Sequence, residues 1–414
     1  MRNDAFWKSN IHLLIFFGLF IIAVLVFVIT RTWQPSEKFL FVGSYPEVKE
    51  LEGRQLNFQE LSVYFTALAE KKGAAYAYEV LKAISVPPNI DMHLLGHVVG
   101  DVLYRQKGME GISICREDFR NACSHSIVVG AFIERGEDAI YSIQKACYRA
   151  PGGKGAYTMC FHGLGHGVLA YAEYDFLKAV ELCKKTGTSE YQNREYAECV
   201  GGAVMELIGG GFHDKELWSE MRPQYLKSDD PLSLCSVAMI PDREARELCY
   251  VYITPYLFEA VGANMGNPTG DDFKKAFPYC DSIPLQETIF RDACYRGFGK
   301  EFVGLVLGRD IRAGSVENMN DTQLSQMYDW CLLADNREGS AACMLHAMDS
   351  LFWGGENNPK VSLRFCAMMQ DDYYQQSCMQ HLLHAARYYF EDDKQKEEFC
   401  KQVPEEYRGA CSAN

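Results

Sequence analysis

The chain of 414 residues is acidic, with 41 Lys and Arg against 55 Asp and Glu, a formal charge of −14. This balance leaves no electrostatic footprint for nucleic acid, and no basic run of five or more reverses it locally, so no nucleic-acid partner is expected. Hydrophobic residues make up 48%, enough for a large buried core and too many for a disordered chain.

The first element in chain order is an apolar run from Leu13 to Ile29, interrupted only by Gly18. Residues 11–30 are long enough, as a helix of ~30 Å, to cross the hydrocarbon core of a bilayer. Trp7 and Trp33 flank the run, where amphipathic rings sit at head-group level. It is longer than the apolar region of a cleavable signal and lacks a small-residue cleavage site, which predicts an uncleaved anchor. Arg2 and Lys8 before it and Arg31 and Lys38 after it leave the positive-inside rule nearly tied. The expected division is a cytoplasmic tail over 1–10, a transmembrane signal anchor over 11–30, a linker over 31–56 and an extracytoplasmic repeat domain over 57–414. That domain opens with a capping helix over 57–72.

All 16 cysteines lie beyond the apolar run, and their spacings alternate. Short gaps of 8, 13, 16, 14, 14, 12, 12 and 11 residues are separated by long ones of 22 to 37. The alternation favours eight local bridges: Cys115–Cys123, Cys147–Cys160, Cys183–Cys199, Cys235–Cys249, Cys280–Cys294, Cys331–Cys343, Cys366–Cys378 and Cys400–Cys411. No C-x-x-C occurs, which argues against zinc–thiolate sites and excludes c-type haem attachment. Eight disulfides demand an oxidising compartment, and this settles the orientation. The bulk of the chain is placed outside the cytoplasm, in a periplasm, at a cell surface or in a lumen.

The second cysteine of each pair opens a similar segment, as in Cys160-Phe-His-Gly-Leu-Gly-His-Gly167 and Cys294-Tyr-Arg-Gly-Phe-Gly-Lys-Glu301. Asp91-Met-His-Leu-Leu-Gly-His-Val98 fits as a copy without cysteine. Second cysteines recur every 33 to 50 residues, the period of a helical hairpin. Each unit reads as an amphipathic helix A, a loop closed by a disulfide, and a more uniformly apolar helix B that belongs to the inner layer. The fold class is all-α, a superhelical solenoid of about nine disulfide-stapled helical hairpins, the last B helix being a stub. In layout the chain resembles the disulfide-stapled members of the tetratricopeptide and Sel1-like repeat group. The Cys115–Cys123 separation matches their pattern, the other separations are wider, and no functional residue carries over.

Of the ten histidines, His93/His97 and His162/His166 form two i,i+4 pairs at matching places in the repeat, and His125 occupies the first of those places in the unit between. Stacked B helices bring these five imidazoles into one inner patch, a donor set suited to zinc, copper or iron. Glu206 stands where it can add a carboxylate from the next unit. The competing reading is that duplication copied the histidines into packing and hydrogen-bonding roles. H-E-x-x-H is absent, so a zincin peptidase is not expected, and no nucleotide loop is present. His346, His381 and His384 lie far along the repeat, and join the first cluster only if the solenoid closes on itself. Tyr373-Tyr374 and Tyr388-Tyr389-Phe390 are candidates for a protein or peptide partner's docking face. The expectation is a membrane-anchored binding or assembly module with a metal site on its inner helices; the alternative is a metal-dependent hydrolase or oxidase using the same histidines.

Overall fold

A computed structural model describes residues 45–412 other than Glu117, Phe212, Gly355, Glu356 and Glu391. The expected tail and anchor, and most of the linker, lie outside the described residues. Among the described residues no helix is long and apolar enough to cross a membrane.

The described chain is helical, with no strand beyond an isolated bridge between Lys227 and Asp230. Eight disulfides join the pairs expected from the spacing. The B helices are α1 (Met92–Lys107), α2 (Asp118–Arg135), α3 (Gly153–Tyr171), α4 (Arg194–Gly209), α5 (Arg243–Tyr252), α6 (Thr288–Val306), α7 (Arg337–Gly354), α8 (Asp372–Tyr389) and the stub α9 (Glu405–Ser412). They pack in chain order, each on the next, from α1 to α8, and α9 rests on α8. Shorter outer helices end at the first cysteine of a pair, as do Ile140–Cys147, Phe176–Cys183 and Asp321–Cys331. Two units depart from the hairpin plan. Before Cys115 the outer element is only a 3₁₀ turn, Gly108–Ser113, and before Cys235 the outer helix Lys215–Tyr225 stops short of the cysteine, which ends a separate 3₁₀ turn, Ser233–Cys235.

Local chemistry sets the helix starts. Asn57 caps Phe58–Lys72 in a reciprocal box with Glu60, so the capping helix begins where expected. A further helix, Pro46–Leu51, stands inside the expected linker, tied to its successor by Glu47, which accepts from Lys72 at 2.6 Å and from Tyr76 at 2.8 Å. Asp91, which stands in the cysteine's place in the sequence, is the N-cap of α1 and accepts from the Leu94 amide at 3.1 Å.

Glycines let the inner helices touch backbone to backbone. A Cβ on Gly165 would sit 2.0 Å from the Cys199 carbonyl oxygen, and one on Gly202 would sit 1.8 Å from that of His162. A Cβ on Gly299 would likewise lie 2.0 Å from the Cys343 carbonyl. The contacts of α3 with α4 and of α6 with α7 therefore repeat one register. These glycines serve close packing, not a phosphate cradle.

Late repeats also return to early ones. The Asn89 amide donates to the Gly308 carbonyl at 2.8 Å, and the Arg312 guanidinium donates to the carbonyls of Lys82 and Ile84. Gly354 at the end of α7 lies beside Arg120 of α2, and Gly155 of α3 abuts the Tyr389 ring of α8.

Candidate metal centre

Three of the five singled-out histidines converge. One ring nitrogen from each of His93, His97 and His125 lies within 4.8 Å of the others. His93 and His97 share one face of α1, and His125 comes from α2, which packs against it. Gly163 of α3 permits the approach, since a Cβ there would lie 2.4 Å from the His125 ring.

Hydrogen bonds fix the tautomers. His93 Nδ1 lies 2.7 Å from the Phe119 carbonyl oxygen, which can only accept, so Nδ1 carries the proton. Ser126 Oγ donates to the His97 carbonyl at 3.0 Å and so accepts from His97 Nδ1 at 3.1 Å. Both imidazoles are neutral: burial holds His93 down at about 4, and burial with the neighbouring imidazoles holds His97 well below its usual value. Two bare Nε2 lone pairs therefore face each other at 3.1 Å. That contact is repulsive until a cation enters it. Two nitrogens bound at ~2.0–2.1 Å to one tetrahedral zinc lie roughly 3.3 Å apart. Committing the far ring nitrogen to a carbonyl or hydroxyl is also the usual outer-shell support of a metal-bound histidine.

His125 adds a third donor. It is 1% exposed, and neither ring nitrogen has a hydrogen-bond partner among the described residues. Burial and the imidazoles around it keep it neutral.

The remaining two expected residues lie beside this trio without joining it. The His166 ring centre is 6.2 Å from His97 and 6.3 Å from His125. Its Nδ1 is anchored on Glu206 at 3.1 Å, and its Nε2 is buried without a partner among the described residues. Glu206 is not a spare ligand. It also accepts from Tyr174 at 3.2 Å and from the Gly211 amide at 3.1 Å, so its place is behind His166. Burial would raise this carboxyl, but the His166 hydrogen bond and nearby imidazoles hold it below the usual range. His162 turns away. Its Nε2 meets the Met205 sulfur at 3.2 Å, its ring lies 4.7 Å from that of Tyr252, and Nδ1 is 3.5 Å from Glu198 without hydrogen-bond geometry.

The later histidines form a separate arrangement. Asp349 Oδ2 accepts from His381 Nε2 at 2.9 Å and lies 3.3 Å from His346 Nδ1. Burial alone would raise the Asp349 carboxyl, but these two imidazoles hold it far below the carboxylate range. In the aromatic cluster Tyr389 and Phe390 pack on Phe352, leaving Tyr373 and Tyr388 exposed. A groove of about 420 Å³ bounded by Asn89, Thr269, Leu305 and Trp330 shares no residue with the imidazoles and offers no titratable side chain.

Residue patterns missed several participants. Ser126 directly follows His125 and was legible as a hydroxyl donor in the same motif. His213, whose charge is felt at His97 and Glu206, carries no repeat signal. Nothing in the sequence marks the Phe119 carbonyl or the Glu198 carboxylate.

No family model, curated protein or solved structure matches the chain, so the assignment of this site rests on its own geometry.

Proposed function

We propose that this protein is a membrane-anchored, extracytoplasmic binding or assembly module, a superhelical array of stapled hairpins that holds a transition-metal ion on His93, His97 and His125. The observation that carries the reading is the opposed pair of unprotonated Nε2 atoms, 3.1 Å apart with both Nδ1 protons committed elsewhere. Neutral imidazole donors without thiolate suit zinc, copper or iron. The eight bridges favour an oxidising compartment, and the apolar run over 11–30 supplies the tether. His166 is the reserve fourth ligand, with its outer-shell carboxylate in place.

Metal content of the full chain purified from an oxidising compartment tests this. The expectation is about one zinc, copper or iron per chain, lost in His93→Ala and His97→Ala, with a lower melting temperature after chelation. Metal-free protein whose melting ignores both added metal and chelator would remove the metal from the reading. A second reading is favoured by the ligand count. Three imidazoles leave a coordination position for water or substrate, as in catalytic sites, so a metal-dependent hydrolase or oxidase follows if His166 stays unbound in the metal-loaded protein.

A further inference from the structure

The segment that holds His93 is bent in an unusual way. Phe119, Arg120 and Asn121 all lie in the left-handed region, with φ of 55°, 53° and 65°. Three consecutive non-glycine residues there are strained. The bend aims the Phe119 carbonyl at His93 and sends the next side chain, Arg120, inward against Gly354 of α7.

Arg120 is a half-buried cation whose inner edge has no counterpart among the described residues. Its Nε and Nη2 are both shielded from water, and neither has a hydrogen-bond partner among the described residues. These two atoms are the side-on fork of the guanidinium, whose parallel N–H bonds match two oxygens of one carboxylate or phosphate. The carboxylates that feel its charge are occupied elsewhere. Glu301 takes Lys300 at 2.5 Å, and Asp91 caps α1. Trp353 Nε1, next in the chain to Gly354, is another buried donor without a partner among the described residues. An unpaired fork in a low-dielectric interior is costly unless an anion completes it.

We propose that Arg120 is the anchor for an oxoanion, the carboxylate or phosphate group of the ligand that the metal centre meets, received bidentately by Nε and Nη2. The proposal rests on the metal reading for what lies beside the anion, because Arg120 directly follows the residue whose carbonyl orients His93. It makes Arg120 a binding residue and defines the ligand class as anionic, despite the chain's negative charge.

The test is thermal melting of the full chain, metal-loaded and metal-stripped, in inorganic phosphate, in acetate and in chloride at equal ionic strength. Wild type should melt higher in phosphate or in acetate than in chloride, and whichever anion acts identifies the source. Arg120→Met should lose this shift, with an apparent Kd for the anion at least about tenfold weaker, while keeping the wild-type metal content. In chloride it should melt no lower than wild type, since a buried unpaired charge has been removed. Arg120→Lys keeps the charge without the fork and should recover only part of the shift. An unchanged shift in Arg120→Met, a much lower melting point of that variant in chloride, or no anion effect on wild type would each overturn the inference. If the anion shift depends on Arg120 in a protein that binds no metal, the anion site stands and the metal reading falls.

Discussion

Two and six residues beyond the repeat cysteine, α3 carries His162 and His166, whereas α6 carries Arg296 and Lys300. The frames are alike. Each has glycines three and five residues beyond the cysteine, a bridge to the preceding outer element, and backbone contact with the next inner helix. The chemistry differs. In the early repeats inward positions hold imidazoles, several with a ring nitrogen that has no partner among the described residues. In α6 those positions hold fixed charges that find partners, Arg296 on Glu247 at 2.8 Å and Lys300 on Glu301 at 2.5 Å. One scaffold register therefore carries imidazoles in one half and internal ion pairs in the other.

The disulfides offer the largest effect with which to break this comparison. Removing Cys147–Cys160 or Cys366–Cys378 by paired alanines should each cost about 2–5 kcal/mol in unfolding free energy. Only the first should also weaken metal binding, because Cys160 fixes the start of the segment whose Gly163 packs on His125. Denaturant melts and metal titration of the two variants check this, and equal metal affinities would show that the halves are not functionally separate.

Glycines at one register sharpen the contrast. A Cβ on Gly163 would meet the His125 ring at 2.4 Å, and one on Gly297 would meet the Thr254 hydroxyl at 2.1 Å. Gly163→Ala and Gly297→Ala should both destabilise by about 1–3 kcal/mol through overpacking. Gly163→Ala alone should displace a ligand and lower metal stoichiometry. Metal loss in both variants would mean that the site senses general loosening of the repeat and not the position of His125.

The legible part of this molecule was its periodic part. Cysteine alternation determined the bridges because each disulfide spans one turn between an outer and an inner element, a purely local relation. Register matching brought His93, His97 and His125 together, since stacked helices of one repeat present equivalent residues side by side. The same logic overreached at His162, which occupies the right register but rotates toward Met205 and Tyr252 from α4 and α5. Tautomer control by Phe119, the inward Arg120 and the return of Arg312 to Ile84 were not legible. The first two depend on a left-handed bend at non-glycine residues, the third on a contact between repeats 228 residues apart.

Acid should separate the halves most finely. Burial holds His346 at about 4 in the folded protein, against about 6.5 in an unfolded chain. Between these values the unfolded chain binds a proton that the folded one does not. The contribution to stability is therefore complete above pH 6.5 and shrinks as pH falls toward 4, by about 1.4 kcal/mol per unit within that window. The groups facing this ring are Asp349 and Trp353 on its own helix, with Arg296 and Lys300 acting from α6. Asp349, whose carboxyl is depressed, stays ionised throughout the window and loses its contribution only below the ordinary carboxylate range. Replacing His346 by Gln should flatten the fall in stability between pH 6 and pH 5 by that amount and leave metal content untouched. Other buried imidazoles titrate alike in both proteins and cancel in the difference, so parallel pH profiles would mean that His346 takes up its proton without unfolding. The closed interior of the second half would then be open to water after all.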